Sequence, residues 1–220
     1  DNFSTDAWAI VLDGRDHVEH IITSIENGRI HKGVSVLLGS NLDEATEFMM
    51  LLPRLICNST LPALLAFAEE SFGPGTPVDL TSLYSALRQP LPECVGRPSS
   101  LRENDDGEQH DPQNSARWWN VGMRAATDYG LTCPVRKLAR AVAAINNASE
   151  ATRVFSYYFT HTPIYSANFD TTKTMGAFHG AEVPFVFGDG FELSGPEEFN
   201  LSKRMACYWS NFAATGDPNN

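Results

Sequence analysis

The sequence has no long apolar run and no cluster of basic residues. No stretch approaches the roughly 18 uninterrupted apolar residues at which a transmembrane helix is expected, so we predict no membrane span. Lys and Arg total 16 against 27 Asp and Glu, a formal net charge of −11, and no Lys/Arg run exceeds two residues. This charge argues against a nucleic-acid partner, because such partners are held mainly through their phosphates.

Several catalytic and cofactor signatures are also missing. There is no Gly-x-Ser-x-Gly, the motif that exposes a nucleophilic serine between strand and helix. There is no Gly-x-Gly-x-x-Gly and no phosphate loop. The sequence also lacks Cys-x-x-Cys pairs and Cys/His clusters, so we predict no metal and no other cofactor.

Cysteines and glycosylation acceptors bear on the compartment. The four cysteines are Cys57, Cys94, Cys133 and Cys207, and the four Asn-x-Ser/Thr acceptors begin at Asn2, Asn58, Asn147 and Asn200. An even cysteine count together with four acceptors favours a secreted or secretory-pathway protein. The alternative, free thiols and unmodified acceptors in a cytosolic protein, stays open. Four cysteines allow three pairings. Cys57 and Cys94 flank one polar excursion and are the preferred pair, which leaves Cys133 with Cys207.

The chain reads as alternating strands and helices. Hydrophobic residues make up 42%, which is typical of a globular protein. The predicted strands are 33–39 and 154–159, 183–188 is a short apolar segment, and the predicted helices are 44–55, 61–72, 79–87, 116–129, 135–145 and 197–215. This order predicts an α/β fold with a mainly parallel sheet and flanking helices. The proline-rich and acidic stretch 89–116 is predicted to be a long surface loop.

Two segments could carry chemistry. Ser40-Asn41-Leu42-Asp43-Glu44 follows the first predicted strand, where open α/β sheets place their functional sites. The alternative is helix capping, with Asn41 or Asp43 as the cap and Glu44 in the first turn, where the helix dipole stabilises it. His179 lies between Gly176 and Gly180 in a predicted tight loop, although a single histidine is more often an ordinary surface or core residue.

Three segments, in order, resemble the carboxylesterase/cholinesterase family of α/β-hydrolases. They are Gly-x-Asn-x-Asp-Glu at 39–44, His-Gly-x-Glu-x-x-Phe-x-Phe-Gly at 179–188 and Trp-x-Asn-Phe-Ala-x-x-Gly-x-Pro-Asn at 209–219. Ala45 stands where that family usually has Gly. The resemblance implies that Glu44 is the acid and His179 the general base of a Ser-His-acid triad, with Asp43 and Glu182 as supporting residues.

The resemblance covers only the C-terminal portion of such a hydrolase. The family's serine elbow and oxyanion hole belong to an N-terminal half that is absent from residues 1–220, which form part of one α/β-hydrolase domain. We therefore expect a companion polypeptide, produced by cleavage of one precursor, that completes the sheet and cleaves small carboxylic esters with this chain. The alternative is a cholinesterase-like binding or adhesion module without catalytic activity, since a fold alone does not fix function.

Overall fold

Two parallel strands form the sheet of the described part of the chain. The computed structural model describes residues 12–29, 31, 33–51, 60–73, 80–84, 112–145, 153–164, 175–188 and 193–220. Strand β1 (Val36–Asn41) pairs in parallel with β2 (Val154–Phe159), with Val36 opposite Val154 and Asn41 opposite Phe159. The carboxyl ends of both strands therefore lie at one edge, as the predicted parallel sheet requires.

Helices surround this pair. Within the described ranges they are α1 (Ile21–Glu26), α2 (Ala45–Leu51), α3 (Leu61–Phe72), α4 (Leu80–Leu83), α5 (Pro112–Thr127), α6 (Cys133–Ile145), α7 (Val183–Phe187) and α8 (Gly195–Thr215). Two predicted helix ends are confirmed. The Thr60 hydroxyl caps α3 by accepting from the Ala63 N–H at 3.4 Å, and Gly216 ends α8 with a left-handed φ of 72°.

The helix α5 begins earlier than predicted and continues into α6. Pro112 opens α5, so residues 112–116 are helical and their assignment to the surface loop is wrong; residues 89–111 lie outside the described ranges. Proline suits a first helical turn, because its missing N–H has no partner to lose there. A π-helical turn, Asp128–Thr132, joins α5 to α6, and the Cys133 N–H donates to the Asp128 carbonyl five residues earlier.

The segment 183–188 is a helix, although the sequence predicted only a short apolar segment. Pro184 lies in the first turn of α7, where its missing N–H costs little, and Gly188 ends the helix with a φ of 63°. The Phe185 side chain is fully buried. A five-residue apolar run is too short for its periodicity to separate helix from strand, which is why the pattern did not reveal α7.

Helices cover both faces of the strand pair. On one face, the Ser40 hydroxyl hydrogen-bonds to that of Thr132, just before α6, at 3.2 Å. On the other, rings of β2 pack against α8, with Tyr157 and Trp209 centroids 5.0 Å apart. The register places Ser40 opposite Tyr158, so these two side chains lie on the same face of the sheet. Tyr157, one residue earlier, lies on the other face, because successive side chains of a strand alternate.

The predicted pairing of Cys133 with Cys207 is wrong. Both thiols are free and exposed. Cys133 begins α6 and Cys207 lies on α8, so the sheet separates them, whereas a disulfide needs Cα atoms within about 7 Å. Cys57 and Cys94 lie outside the described residues, as do Asn2, Asn58 and Asn147. Asn200 is exposed on α8, and its glycosylation stays a prediction.

Buried apolar side chains form two clusters. One joins α3, α4 and α5 through Leu64, Phe67, Leu80, Trp119 and Val121. The other joins β2, the loop before α7, α7 and α8 through Phe159, Ala177, Ala181, Phe185 and Met205. The second cluster fixes the loop that carries His179 against the sheet. Among the described helices, none combines the length and the apolar character needed to cross a membrane.

Candidate functional site

Glu44 lies in the turn that follows β1. Its side chain is almost fully buried, and its Oε1 accepts the Asn41 backbone N–H at 2.7 Å. Its Oε2 lies 2.7 Å from Nδ1 of His179, which comes from a segment 135 positions along the chain. The fold thus brings together the two residues that the sequence resemblance assigned to the triad.

His179 lies in the described segment 175–182 that precedes α7, here called the histidine loop. Gly176 and Gly180 adopt φ angles of 60° and 80°, which the tight turns of this loop require. The His179 ring packs against Phe48 with centroids 5.1 Å apart, and half of its side chain remains exposed. One ring nitrogen therefore meets a buried carboxylate, while the side chain stays accessible from outside.

Asp43 connects the Glu44 turn to α5 and to the histidine loop. Its Oδ1 pairs with Arg124 Nη2 at 2.9 Å, and its Oδ2 accepts the Ala177 N–H at 2.9 Å. Burial raises the pKa of Asp43 above its ordinary 3.8, and the opposing effects of Arg124 and the Ala177 N–H are smaller. The buried Asp43 carboxylate thus links the turn that carries Glu44 to the loop that carries His179.

The helix-capping interpretation of this turn accounts for one hydrogen bond of the Asp43 and Glu44 carboxylates, the bond from the Asn41 backbone N–H to Glu44 Oε1. The first backbone N–H of α2, that of Ala45, donates to the Thr127 hydroxyl of α5 at 3.0 Å. Thr46 bonds to the Asp43 carbonyl rather than to its carboxylate. The other hydrogen bonds of the two carboxylates go to Arg124, Ala177 and His179.

Glu182 holds the far end of the histidine loop. Its carboxylate accepts from Asn41 Nδ2 at 2.5 Å and from the Tyr157 hydroxyl at 3.2 Å. Burial, together with the neighbouring charge of Glu182, raises the pKa of Tyr157, which stays a neutral donor. The Tyr157 ring occupies the space where Gly39 lacks a side chain, since a Cβ there would overlap the ring.

Asn41, Arg124 and Tyr157 were not identified as site residues from the sequence. Asn41 was part of the polar segment but was considered only as a helix cap. Arg124 is a basic residue within an amphipathic helix, and its burial is the signal that distinguishes it, which a pattern alone does not provide. Tyr157 lies in a strand of several aromatic residues, and the sequence does not show which hydroxyl among them makes a specific hydrogen bond.

A second histidine–carboxylate pair lies beside the site. His161 Nε2 is 2.7 Å from Glu198 Oε1, and the Ile164 and Ser194 backbone N–H groups also donate to Glu198, each at 2.8 Å. Burial alone would raise the pKa of Glu198, but these hydrogen bonds hold it below its ordinary value. Among the described residues, no group of His, Cys, Asp and Glu has the arrangement of a metal site.

A carboxylate hydrogen-bonded to a histidine, beyond the carboxyl end of a parallel strand, is the arrangement that the acid and base of a Ser-His-acid triad adopt in α/β-hydrolases. Comparison with protein families matches residues 7–220 to the carboxylesterase family. The chain therefore belongs to that family, whose fold is that of the α/β-hydrolases, and the parallel strand pair with helices on both faces agrees with it.

Individual relatives are longer than this chain. Acetylcholinesterase 1 of Caenorhabditis briggsae is 30% identical over 218 residues, and acetylcholinesterase 1 of Caenorhabditis elegans is 29% identical over the same length. In both cases the match covers 96% of this chain but 33% of the relative. The acetylcholinesterase of Bungarus fasciatus is 38% identical over 95 residues, which is 41% of this chain and 14% of the relative. The chain thus spans about a third of the curated relatives it matches most fully.

Proposed function

We propose that this chain supplies the acid and the general base of a serine esterase that cleaves carboxylic esters. The observation that carries the proposal is the 2.7 Å contact between the buried Glu44 carboxylate and Nδ1 of the half-exposed His179. Membership of the carboxylesterase family supports ester hydrolysis in general.

The hydrogen bond to Glu44 defines the chemistry available to His179. A carboxylate can only accept, so Nδ1 carries the proton and Nε2 of the neutral ring is left as the basic nitrogen. Nε2 takes the serine proton during attack on the ester and returns it to the leaving alcohol. Glu44 fixes this tautomer and stabilises the imidazolium that forms. A base placed in this way typically contributes about 10²–10⁴ in rate.

The nucleophile and the oxyanion hole come from a companion polypeptide. This chain has no Gly-x-Ser-x-Gly motif, and it spans 33% of the length of its fuller relatives. The companion carries the N-terminal part of the domain and joins this chain through the common sheet and core. The four glycosylation acceptors favour a secreted enzyme. The mechanism needs side chains and water and draws on no cofactor.

Fluorophosphonate labelling of the native material, read by mass on a denaturing gel, tests this function. We expect the label on a serine of the co-purifying companion polypeptide. Absence of label on intact assembled protein, with a known serine hydrolase labelled alongside, would contradict the esterase and favour the non-catalytic binding module.

Substitutions in this chain test the proposed roles of His179 as general base and Glu44 as triad acid. In the assembled protein, His179→Ala should reduce ester turnover by about 10²–10⁴ while the thermal midpoint changes little. Glu44→Gln should act in the same direction, because an uncharged amide stabilises the imidazolium less. The matched control is His17→Ala, at an exposed histidine of the same chain. Turnover of His179→Ala within about tenfold of the wild type would remove His179 from the role of general base.

A further inference from the structure

We propose that Asn41 is a positioning residue for the proposed ester hydrolysis, on which this inference rests: it holds the histidine loop in register with the triad acid. Asn41 is the last residue of β1 and is 1% exposed. Its hydrogen bonds go to Glu44, Phe178 and Glu182, and through them it acts on the imidazole.

Asn41 hydrogen-bonds to the acid and to residues on either side of the histidine. The Asn41 backbone N–H donates to Glu44 Oε1 at 2.7 Å, which leaves Oε2 for His179. The Asn41 side-chain amide donates to the Phe178 carbonyl at 2.8 Å, directly before His179, and to Glu182 Oε2 at 2.5 Å, three residues after it. The peptide segment that carries the imidazole is therefore fastened on both sides to the residue that orients the acid.

The chemistry of the asparagine side chain fits this arrangement. Its NH₂ group has two donors, and the loop presents two acceptors, the Phe178 carbonyl and the Glu182 carboxylate. The amide oxygen, Oδ1, is buried and has no hydrogen-bond partner among the described residues. An asparagine that serves only stability would be expected to satisfy both ends of its amide, since a buried unpaired acceptor carries a cost. The observed side chain uses only its donors, and both are directed to the histidine loop.

Removing the side chain should misplace the imidazole rather than unfold the domain. Asn41→Ala keeps the backbone donation to Glu44 but releases both attachments of the loop. A displacement of about 1 Å at a catalytic group can cost roughly 100-fold in rate. We expect kcat to fall by about 10- to 100-fold with KM within about twofold of the wild type, because the ester is not bound by this residue.

Ser40→Ala is the matched control. Ser40 precedes Asn41 on β1 and is similarly buried, and its hydroxyl bonds to Thr132 on the opposite face of the sheet. Both variants lose buried side-chain hydrogen bonds, so comparable falls in the thermal midpoint are expected. Only Asn41→Ala should lower kcat strongly. If Asn41→Ala does not fold, Glu182→Ala removes one of the two attachments without altering β1 and should lower kcat in the same way, by less.

The proton on His179 Nδ1 gives a readout that does not depend on turnover. In the assembled wild-type protein it should appear as a downfield proton resonance, because the hydrogen bond to Glu44 slows its exchange. We expect this resonance to broaden or disappear in Asn41→Ala and to persist in Ser40→Ala. Unchanged resonance and kcat in Asn41→Ala, or losses equal to those of Ser40→Ala, would overturn the proposal. If the wild type neither hydrolyses esters nor takes the fluorophosphonate, the proposed function fails, and the resonance alone decides whether Asn41 positions His179.

Discussion

At the scale of single residues, two glycines leave the space in which the site is built. Gly39 lets the Tyr157 ring lie against β1, and Gly176 lets the Asp43 carboxylate reach the Ala177 N–H. In each case a Cβ would overlap the neighbouring side chain. The Glu44 turn and the histidine loop can thus approach closely because these two residues have no Cβ.

Gly176→Ala should destabilise the protein more than Gly180→Ala. Both glycines have positive φ, so an alanine at either pays about 1–2 kcal/mol of backbone strain. At Gly176 the added methyl also meets the Asp43 carboxylate, whereas a Cβ at Gly180 meets nothing within 4 Å. We expect a loss near 1 kcal/mol for Gly180→Ala and of about 3 kcal/mol or more for Gly176→Ala, measured by urea unfolding. Equal losses would show that the Asp43 contact is not restrictive.

The sequence identifies the catalytic candidates but does not identify Arg124 and Tyr157, which bond to their supporting carboxylates. Glu44 and His179 lie in linear motifs, so the resemblance located both before any geometry was known. Arg124 and Tyr157 lie within a regular helix and strand, where the same residue types occur for solubility or packing. Their roles depend on which face meets Asp43 or Glu182, and that is determined by tertiary packing.

At the scale of elements, the connection between α5 and α6 shows where periodicity fails. The sequence predicted two separate helices here, 116–129 and 135–145. Instead, the π-helical turn Asp128–Thr132 makes the helix continuous from α5 into α6. The hydroxyl of Tyr84, the residue after α4, donates to the Asp128 carboxylate at 2.8 Å. An inserted residue of this kind shifts the helical phase and is invisible to a pattern of 3.6 residues. The parallel strands, in contrast, were predictable, because β-branched and aromatic runs alternate with helices along the chain.

Removing only one partner of the buried Arg124–Asp43 ion pair should strongly lower the free energy of unfolding. Arg124→Met leaves the buried Asp43 carboxylate without its cation, and we expect a loss of about 3–5 kcal/mol at pH 7. The double variant Arg124→Met/Asp43→Asn should lose clearly less, because no uncompensated charge remains. Arg140→Met, at an exposed position of α6, is the control and should stay within about 0.5 kcal/mol.

The loss in Arg124→Met should depend on pH. Burial already raises the pKa of Asp43, and removal of the cation raises it further. A carboxyl group with a raised pKa binds its proton more readily in the folded state, so acidification favours folding. The deficit should therefore shrink as the pH falls through the raised pKa and be smallest near the ordinary value of 3.8. Denaturant unfolding of both proteins from pH 7 to pH 4 measures this, and a constant deficit would contradict a charged Asp43.

At the scale of the whole molecule, several large apolar side chains of the described residues are exposed. Large apolar side chains preceding β1 are more than half exposed, namely Leu12, Val18, Ile21 and Val34. Tyr158 of β2 is also exposed. Their exposure agrees with the proposal that another part of the domain packs against this chain and completes its sheet.

The backbone of β1 provides the sharpest test of that completion. Alternate amides of a parallel strand face opposite edges. Val36 and Leu42 donate towards β2, each at 2.8 Å, so the amides of Leu38 and Ser40 also face β2. Those of Leu37 and Gly39 face the other edge. Among the described residues, β2 is the one strand paired with β1.

We expect the second edge of β1 to pair with another strand of the common sheet in the assembled protein. Amide hydrogen exchange should then be as slow at Leu37 and Gly39 as at Leu38 and Ser40, which serve as internal references because their hydrogen bonds lie within the strand pair. A covered edge gives every amide of the strand a partner, and such amides exchange through larger openings of the fold. Fast exchange confined to Leu37 and Gly39 would mean that β1 is an edge strand, and the companion would then have to join this chain through its helices rather than through a shared sheet.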